Sequence, residues 1–242
     1  MTTDNSSAIA NNWPTLNHHE RRVLGVLVEK AKTTPDSYPL TLNALITGCN
    51  QKSNRDPVLN LGDVEIQEAI DSLKKLGMMQ QISGSGRADK YRHVLYDSLK
   101  VNKVELAVLA ELLLRGPQTE GELRSRASRM EPIDDLDSLR AVLRSLAQRN
   151  LVTYLTPEGR RGTTVTHGFH APGELERLRS RLEHEAPEEH IAPSALTASS
   201  ASVADNRLQR LEERMQELEA TLAAMQQELQ ALKAQLAPLL GT

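Results

Sequence analysis

The chain has 242 residues, a formal net charge of −3 at pH 7, only 2% aromatic residues and one cysteine, Cys49. This length allows one or two domains, and cores with so few aromatic side chains must be built from Leu, Val, Ile and Ala, which favours helices over a large sheet. A single cysteine excludes an intramolecular disulfide, and we expect Cys49 to be a buried apolar residue rather than a reactive thiol.

Residues 1–15 form a polar arm that we predict to be disordered, and they contain neither the basic nor the apolar region of a secretory signal. No apolar run approaches the roughly 20 residues that a membrane span needs. The sequence therefore predicts a cytoplasmic protein.

A repeated helix start then marks two structural units of the same kind. The pattern Asn17, Glu20, Val23, Leu24, Leu27 recurs at the same spacing as Asn102, Glu105, Val108, Leu109, Leu112. An Asn at the N-cap and a Glu three residues later form a capping box, and the apolar residues line one buried face. We therefore predict two small domains, at residues 16–98 and 101–170.

Each domain is predicted to hold three helices followed by a β-hairpin. In the first domain the helices are expected at about 18–32, at 42–49 and from Gly62 to near Gly77, and the hairpin surrounds the turn at 84–86. In the second they are expected near 103–115, 120–129 and 136–149, with a hairpin around the turn at 157–162. This order is typical of winged-helix domains, in which the hairpin is the wing.

The C-terminal part is predicted to contain a short charged helix at 173–186, a flexible linker at 187–204 and a coiled coil at 205–237. The apolar a and d positions of an unbroken heptad pattern are Leu208, Leu211, Met215, Leu218, Leu222, Met225, Leu229, Leu232 and Leu236. Flanking residues of opposite charge would face each other in a parallel pair, as Arg207 would face Glu212 of the partner helix. This favours a parallel homodimer, with a trimer, or a helix packed on its own domains, as alternatives.

The predicted fold class is therefore mainly α with small β wings: two tandem winged-helix domains followed by a C-terminal coiled-coil helix. We find no catalytic, nucleotide-binding or metal-binding motif, and we predict neither enzymatic activity nor a cofactor. His167 and His170 could ligate a metal, but no carboxylate or thiol accompanies them in the motif. We expect them to lie in a solvated loop.

The two third helices differ in the charge of their predicted outer faces. The third helix of a winged-helix domain commonly enters the major groove of DNA. Glu68 and Asp71 on the first such helix would face phosphates, which disfavours that role. The third helix of the second domain presents an exposed stripe formed by Arg140, Arg144 and Gln148. Neighbouring arginines add positive charge to this stripe: Arg124, Arg126, Arg129, Arg160 and Arg161. The alternative is that these arginines pair with Glu131, Asp134, Asp135 and Asp137 at a solvated surface.

A polar segment, Asn50–Val58, separates the second and third helices of the first domain. Its side chains suit either a phosphate contact or the capping of the second helix, and the sequence leaves both possibilities open. The candidate phosphate contacts of the first domain are Lys52, Asn54 and Arg55 in this segment and Arg87, Lys90 and Arg92 in the hairpin.

The string TLNALITGCNQKSNRDPVLNL, with LNHHERRVLGVLVEK before it and KYRHVL after it, closely resembles the bacterial YceH-like family over about residues 13–170. This resemblance implies a tandem winged-helix fold. A dimer of tandem winged-helix chains is also similar in outline to the ScpB-type adaptors of chromosome segregation, a similarity that rests on the fold alone.

The leading hypothesis is therefore a dimeric DNA-binding protein of regulatory or nucleoid-associated type. The alternative is a non-enzymatic adaptor that binds a protein through the acidic third helix of the first domain or the polar loop at 50–56.

Overall fold

The computed structural model of the chain describes residues 13–83 and 89–185. These residues belong to one compact unit, which is mainly helical and contains two small three-stranded antiparallel sheets. The predicted coiled coil, the linker, most of the N-terminal arm and Arg87 lie outside the described residues. Among the described helices, none is long and apolar enough to cross a membrane.

The first repeat runs from α1 to a short helix after its hairpin. Its elements are α1 (His18–Thr33), β1 (Leu40–Thr41), α2 (Leu42–Cys49), α3 (Asp63–Lys75), β2 (Met79–Ile82), β3 (Lys90–His93) and α4 (Leu95–Ser98). The strand order is β1-β3-β2, and Gln81 pairs with Tyr91 in the hairpin.

The second repeat has the same order of elements and is followed by one more helix. Its elements are α5 (Lys103–Arg115), β4 (Gln118–Thr119), α6 (Glu120–Ala127), α7 (Leu136–Gln148), β5 (Val152–Tyr154), β6 (Thr164–His167) and, after the repeat, α8 (Pro172–Glu185). The strand order is β4-β6-β5. The sequence did not predict β1 and β4, because two residues are too few for a periodic pattern.

The capping boxes predicted at the two repeated helix starts are both present. The Asn17 side chain accepts from the Glu20 amide at 3.0 Å, and the Glu20 carboxylate accepts from the Asn17 amide at 2.7 Å. The corresponding distances between Asn102 and Glu105 are both 2.9 Å. These bonds satisfy backbone N–H groups that a helix start leaves unpaired, which explains why both helices begin where the sequence predicts.

The principal helix contact between the repeats joins α1 to α5. The consecutive residues Glu20–Glu29 and Glu105–Leu114 are all buried, because each helix packs on its own repeat and also on the other. A Cβ at Gly25 would lie 2.8 Å from the Leu114 Cγ, so glycine permits this close approach. The apolar core is continuous across both repeats and contains Cys49, whose predicted burial is confirmed.

Residues just before α1 pack on the second repeat. The Leu16 amide donates to the Phe169 carbonyl at 3.0 Å, and the Trp13 indole donates to the Arg149 carbonyl at 2.7 Å. Residues 13–15, which the sequence assigned to the predicted disordered arm, are therefore part of the folded unit. Sequence reasoning missed the contact between Trp13 and Arg149 because these residues are more than 130 positions apart in the chain.

Candidate nucleic-acid interface

The outer face of α7 carries the predicted arginine stripe. Leu139, Leu143 and Leu146 turn into the core, as their spacing predicts, and Arg144 and Gln148 are exposed. The Asp135 carboxylate caps the helix by accepting from the Ser138 amide at 2.7 Å, and this bond lowers the pKa of Asp135.

Arg140 is held by two carboxylates. Its Nε lies 2.9 Å from the Glu120 Oε2, and its Nη1 lies 3.1 Å from the Asp137 Oδ1. The hydrogen bond to Glu120 is the main reason why the pKa of Arg140 is raised. The alternative that these arginines pair with acidic residues therefore holds for Arg140. Asp137 was one of the expected partners, whereas Glu120 was not.

Arg144 joins α7 to the turn between β5 and β6. Its Nη1 lies 3.3 Å from the Glu158 Oε1, and both side chains are well exposed, at 56% and 42%. Arg160 and Arg161 lie in the same turn, are exposed, and have no side-chain partner among the described residues. We call Arg144, Gln148, Arg160 and Arg161 the α7–turn surface.

The arginines of α6 and the segment after it are occupied within the fold. The Arg124 guanidinium donates to the carbonyls of Ile133 and Asp134, at 3.3 and 3.1 Å. Arg126 pairs with Glu122, and Arg129 lies 3.4 Å from the buried Glu111. Arg129 also lies beyond α6, which ends at Ala127 rather than near residue 129. Arg126 and Arg129 are thus paired with carboxylates, whereas Arg124 is anchored by backbone carbonyls and keeps its positive charge.

Arg55 is a structural residue, which corrects its assignment as a phosphate contact. Its side chain is fully buried, and its two Nη atoms lie 2.6 and 3.2 Å from the Glu29 carboxylate. Its Nε donates to the Gly48 carbonyl at 3.0 Å. Asn54 accepts from Arg115 at 2.9 Å, whereas Lys52 is exposed.

The rest of the Asn50–Val58 segment supports its own loop. The Asn50 side chain accepts from the Leu61 amide and donates to the Leu61 carbonyl, both at 2.8 Å. Of the two possibilities that the sequence left open here, the geometry favours the structural one.

The described hairpin candidates of the first repeat lie on β3. Lys90 is exposed, and Arg92 is exposed but donates to the Gln80 side chain at 2.8 Å. Arg87 lies outside the described residues.

The outer face of α3 is acidic, as the sequence predicts. Glu68 and Asp71 are exposed, and Asp71 lies 3.7 Å from Lys74. Asp71 and Arg144 occupy equivalent positions in the two repeats, because Ile70 and Leu143 are matching core residues. The same place in the fold therefore carries opposite charge.

His167 and His170 are buried, so the predicted solvated loop is wrong. Their rings stack at a centroid distance of 3.9 Å, and the His170 Nδ1 lies 3.0 Å from the Glu174 carboxylate. Burial lowers the pKa of both histidines. Glu174 is also bound by Arg21 of α1, and the Arg21 hydrogen bonds are the main reason why the pKa of Glu174 falls to about 2. Within the described residues, no group of three or more His, Cys, Asp or Glu side chains is placed to hold a metal.

The sequence did carry a signal for the α1–α5 junction. Residues 106–114 are apolar on nearly every side of the helix except for Glu111, whereas a helix with one exposed face shows a single apolar stripe. No comparable signal marked Glu174 as a partner of Arg21, because 153 residues separate them.

Comparison with known proteins places these residues in a bacterial family. The family described as "Protein of unknown function, DUF480" matches residues 16–161. A UPF0502 protein of Rhodopirellula baltica is 48% identical over 197 residues, covering 80% of this chain and 82% of the relative. A UPF0502 protein of Geotalea uraniireducens is 48% identical over 204 residues, covering 83% and 88%. These matches confirm the resemblance that the sequence indicates.

Proposed function

The chain belongs to the DUF480 family, whose description assigns no function, and from this premise we propose that it is a DNA-binding protein of regulatory or nucleoid-associated type. In this proposal the two repeats are tandem winged-helix domains. The order of three helices and a hairpin in each repeat supports that assignment.

The observation that carries the proposal is the contact between Arg144 and Glu158. This contact makes the outer face of α7 continuous with the arginine-bearing turn. A helix that enters the major groove and a turn that follows the backbone would then present Arg144, Arg160 and Arg161 to one stretch of duplex. Arginine binds phosphate by charge-assisted, often bidentate hydrogen bonds.

The carboxylate partners decide which arginines take part. An exposed ion pair such as Arg144–Glu158 contributes roughly 0–1 kcal/mol, so a phosphate can replace Glu158. Arg140 differs because Glu120 is buried and would lose its guanidinium partner if Arg140 turned outward. We therefore assign Arg140 to positioning α7, and phosphate contact to the α7–turn surface.

The C-terminal heptad pattern supports a second part of the proposal, a parallel homodimer. The predicted linker of 18 residues has a root-mean-square span of about 5–6 Å × √18, or roughly 23 Å. A coiled coil at the end of such a linker would not fix the spacing between two DNA half-sites. It would raise the affinity of the dimer through effective concentration.

Fluorescence anisotropy with a random-sequence duplex at roughly 50 and 200 mM salt tests the proposal. The variant Arg160→Gln/Arg161→Gln removes two exposed charges, and Lys75→Gln/Arg177→Gln makes the same charge change elsewhere on the described surface. We expect the first variant to lower the salt slope by about 1.8, because each phosphate contact contributes about 0.9, and the second to leave it unchanged. Absence of binding at low salt, or equal losses in both variants, would refute the proposal.

A second candidate function is a protein adaptor, which the surface of α3 favours. Val64 is 69% exposed and, with Leu42, lines a cavity of about 370 Å³ edged by Asp63, Glu68 and Asp71. An exposed apolar side chain within an acidic rim suits a basic partner with an apolar anchor.

A photo-crosslinking residue at position 64 tests the adaptor. We expect one discrete cross-linked protein, lost in Asp71→Lys and kept in Asp97→Lys, which reverses an exposed acid on α4. Failure to obtain a discrete product would remove this candidate.

A further inference from the structure

A cavity of about 280 Å³ lies where the two repeats meet. Residues of α1, of the segment before α3, of the end of α5, of β6 and of α8 line it. Its charged lining consists of Arg21, Arg22, Arg115, Arg181, Asp56 and Glu174. Positive charge is therefore in excess within a cavity to which both repeats contribute.

Two of these arginines are already paired. Arg21 binds both oxygens of Glu174, at 2.6 and 2.5 Å. The Arg115 Nε lies 3.1 Å from an oxygen of Glu111. Neither arginine needs another counter-ion.

Arg22 is the unusual member because it is buried without a carboxylate. It is 2% exposed, and no acidic group of the described residues lies within ion-pair distance. Its Nη1 donates to the Cys49 carbonyl at 3.0 Å and its Nη2 to the Pro57 carbonyl at 2.6 Å, while its Nε has no hydrogen-bond partner within the described part of the chain. Burial, and then the charge of Arg55, lower the pKa of Arg22. Buried charges in proteins are ordinarily paired with an opposite charge, and the Arg22 guanidinium has no carboxylate of the described residues within ion-pair distance.

Arg181 supplies a second positive charge without a partner among the described residues. It lies on α8, is exposed, and lines the same cavity. Of the two carboxylates in the lining, Glu174 is bound by Arg21 and His170. Asp56 is exposed and lies beyond ion-pair distance of Arg22, and its charge raises the pKa of Arg22 by less than burial lowers it.

We propose that this cavity binds a small anion that carries a phosphate group, with Arg22 and Arg181 as its charged ligands. A phosphate monoester carries about −1.5 to −2 charges at pH 7, which matches two guanidinium groups without a bound carboxylate better than a single carboxylate does. The volume lies near the lower end of the roughly 300–1,000 Å³ of small-molecule sites, so the ligand is a small metabolite. Binding would compensate Arg22 and connect α8 to α1, holding the two repeats together.

Isothermal titration calorimetry on the full chain tests the site with inorganic phosphate and with pyrophosphate, against sodium chloride of equal ionic strength. Arg181→Gln removes a proposed ligand whose side chain forms no hydrogen bond or ion pair with the described residues. Arg177→Gln is the matched control, because Arg177 is exposed on the same helix and does not line the cavity. We expect Arg181→Gln to bind at least about tenfold more weakly, the loss of one charged hydrogen bond, and Arg177→Gln to bind like the wild type.

Three results would overturn the inference. They are the absence of binding heat for both anions in the wild type, an equal loss of affinity in the two variants, and a loss of duplex binding in Arg181→Gln. The last result would assign the cavity to the nucleic-acid surface. Retained duplex affinity in Arg181→Gln, together with weakened phosphate binding, would establish a separate site.

Discussion

Replacing Arg55 by Met should destabilise the fold strongly, because Arg55 is a buried structural residue and not a phosphate ligand. The change removes two bonds to the Glu29 carboxylate, at 2.6 and 3.2 Å, and the bond to the Gly48 carbonyl at 3.0 Å. Glu29 would stay buried without its guanidinium. Its nearest remaining cation, the Lys30 Nζ, lies 3.9 Å away.

Breaking a buried ion pair from one side costs about 3–5 kcal/mol. Lys30 offers partial compensation, so we expect a loss near the lower end, about 3 kcal/mol in the free energy of unfolding. With a urea dependence of about 2 kcal/mol per molar, the midpoint of unfolding would fall by about 1.5 M.

Urea titration followed by tryptophan fluorescence measures this shift. Trp13 is the single tryptophan, and its indole donates to the Arg149 carbonyl, so its emission reports the folded unit. Arg92→Met is the matched control, because the Arg92 side chain is exposed and, among the described residues, donates only to the Gln80 side chain. We expect the control to change stability by less than about 0.5 kcal/mol. Equal midpoints for Arg55→Met and Arg92→Met would refute the structural role of Arg55.

Three further predictions concern packing, pH and assembly. Gly168→Ala should lose about 3 kcal/mol of unfolding free energy, the upper end of the usual cost of overpacking, because its Cβ would lie 1.8 Å from the Asn150 carbonyl oxygen. Gly121→Ala, with open space around its Cβ, should be neutral or stabilising, and equal urea midpoints for the two variants would contradict this. Burial lowers the pKa of His93 to about 4 from an ordinary 6.5, so its contribution to stability is complete above pH 6.5 and is lost as the pH falls toward 4. His93→Asn should therefore flatten the pH dependence of the urea midpoint in that interval, and an unchanged slope would disprove the assignment. A chain ending at Ala186 should be monomeric by light scattering if the heptad segment forms the dimer, and a dimeric truncation would place the interface elsewhere.

The helix positions could be predicted because their determinants lie close together in the chain. The cap residues Asn17 and Asn102 act on amides two and three residues away. Core residues at spacings of three and four share one helix face whatever the rest of the fold does. The predicted bounds of α2 and α5 are therefore the observed ones, and α1 differs by one residue.

The candidate site could be predicted only in outline. Sequence reasoning placed Arg144, Gln148, Arg160 and Arg161 on the outside of the second repeat, where the structure has them. It could not separate them from Arg140 and Arg55, because every arginine in a polar stretch has the same charge. Their difference comes from Glu120 and Glu29, which lie 20 and 26 residues away.

The sequence by itself determined that one unit of three helices and a hairpin occurs twice, with opposite charge on the two third helices. Tertiary structure alone decided which charges are free, and it created the junction cavity. Arg21 and Glu174 meet across 153 residues, and Arg22 is held by backbone carbonyls 27 and 35 residues away in the chain. Local pattern specifies the elements, because caps and periodic cores act over a few residues. Whether a charged side chain is paired or free depends on which residues the tertiary fold places next to it.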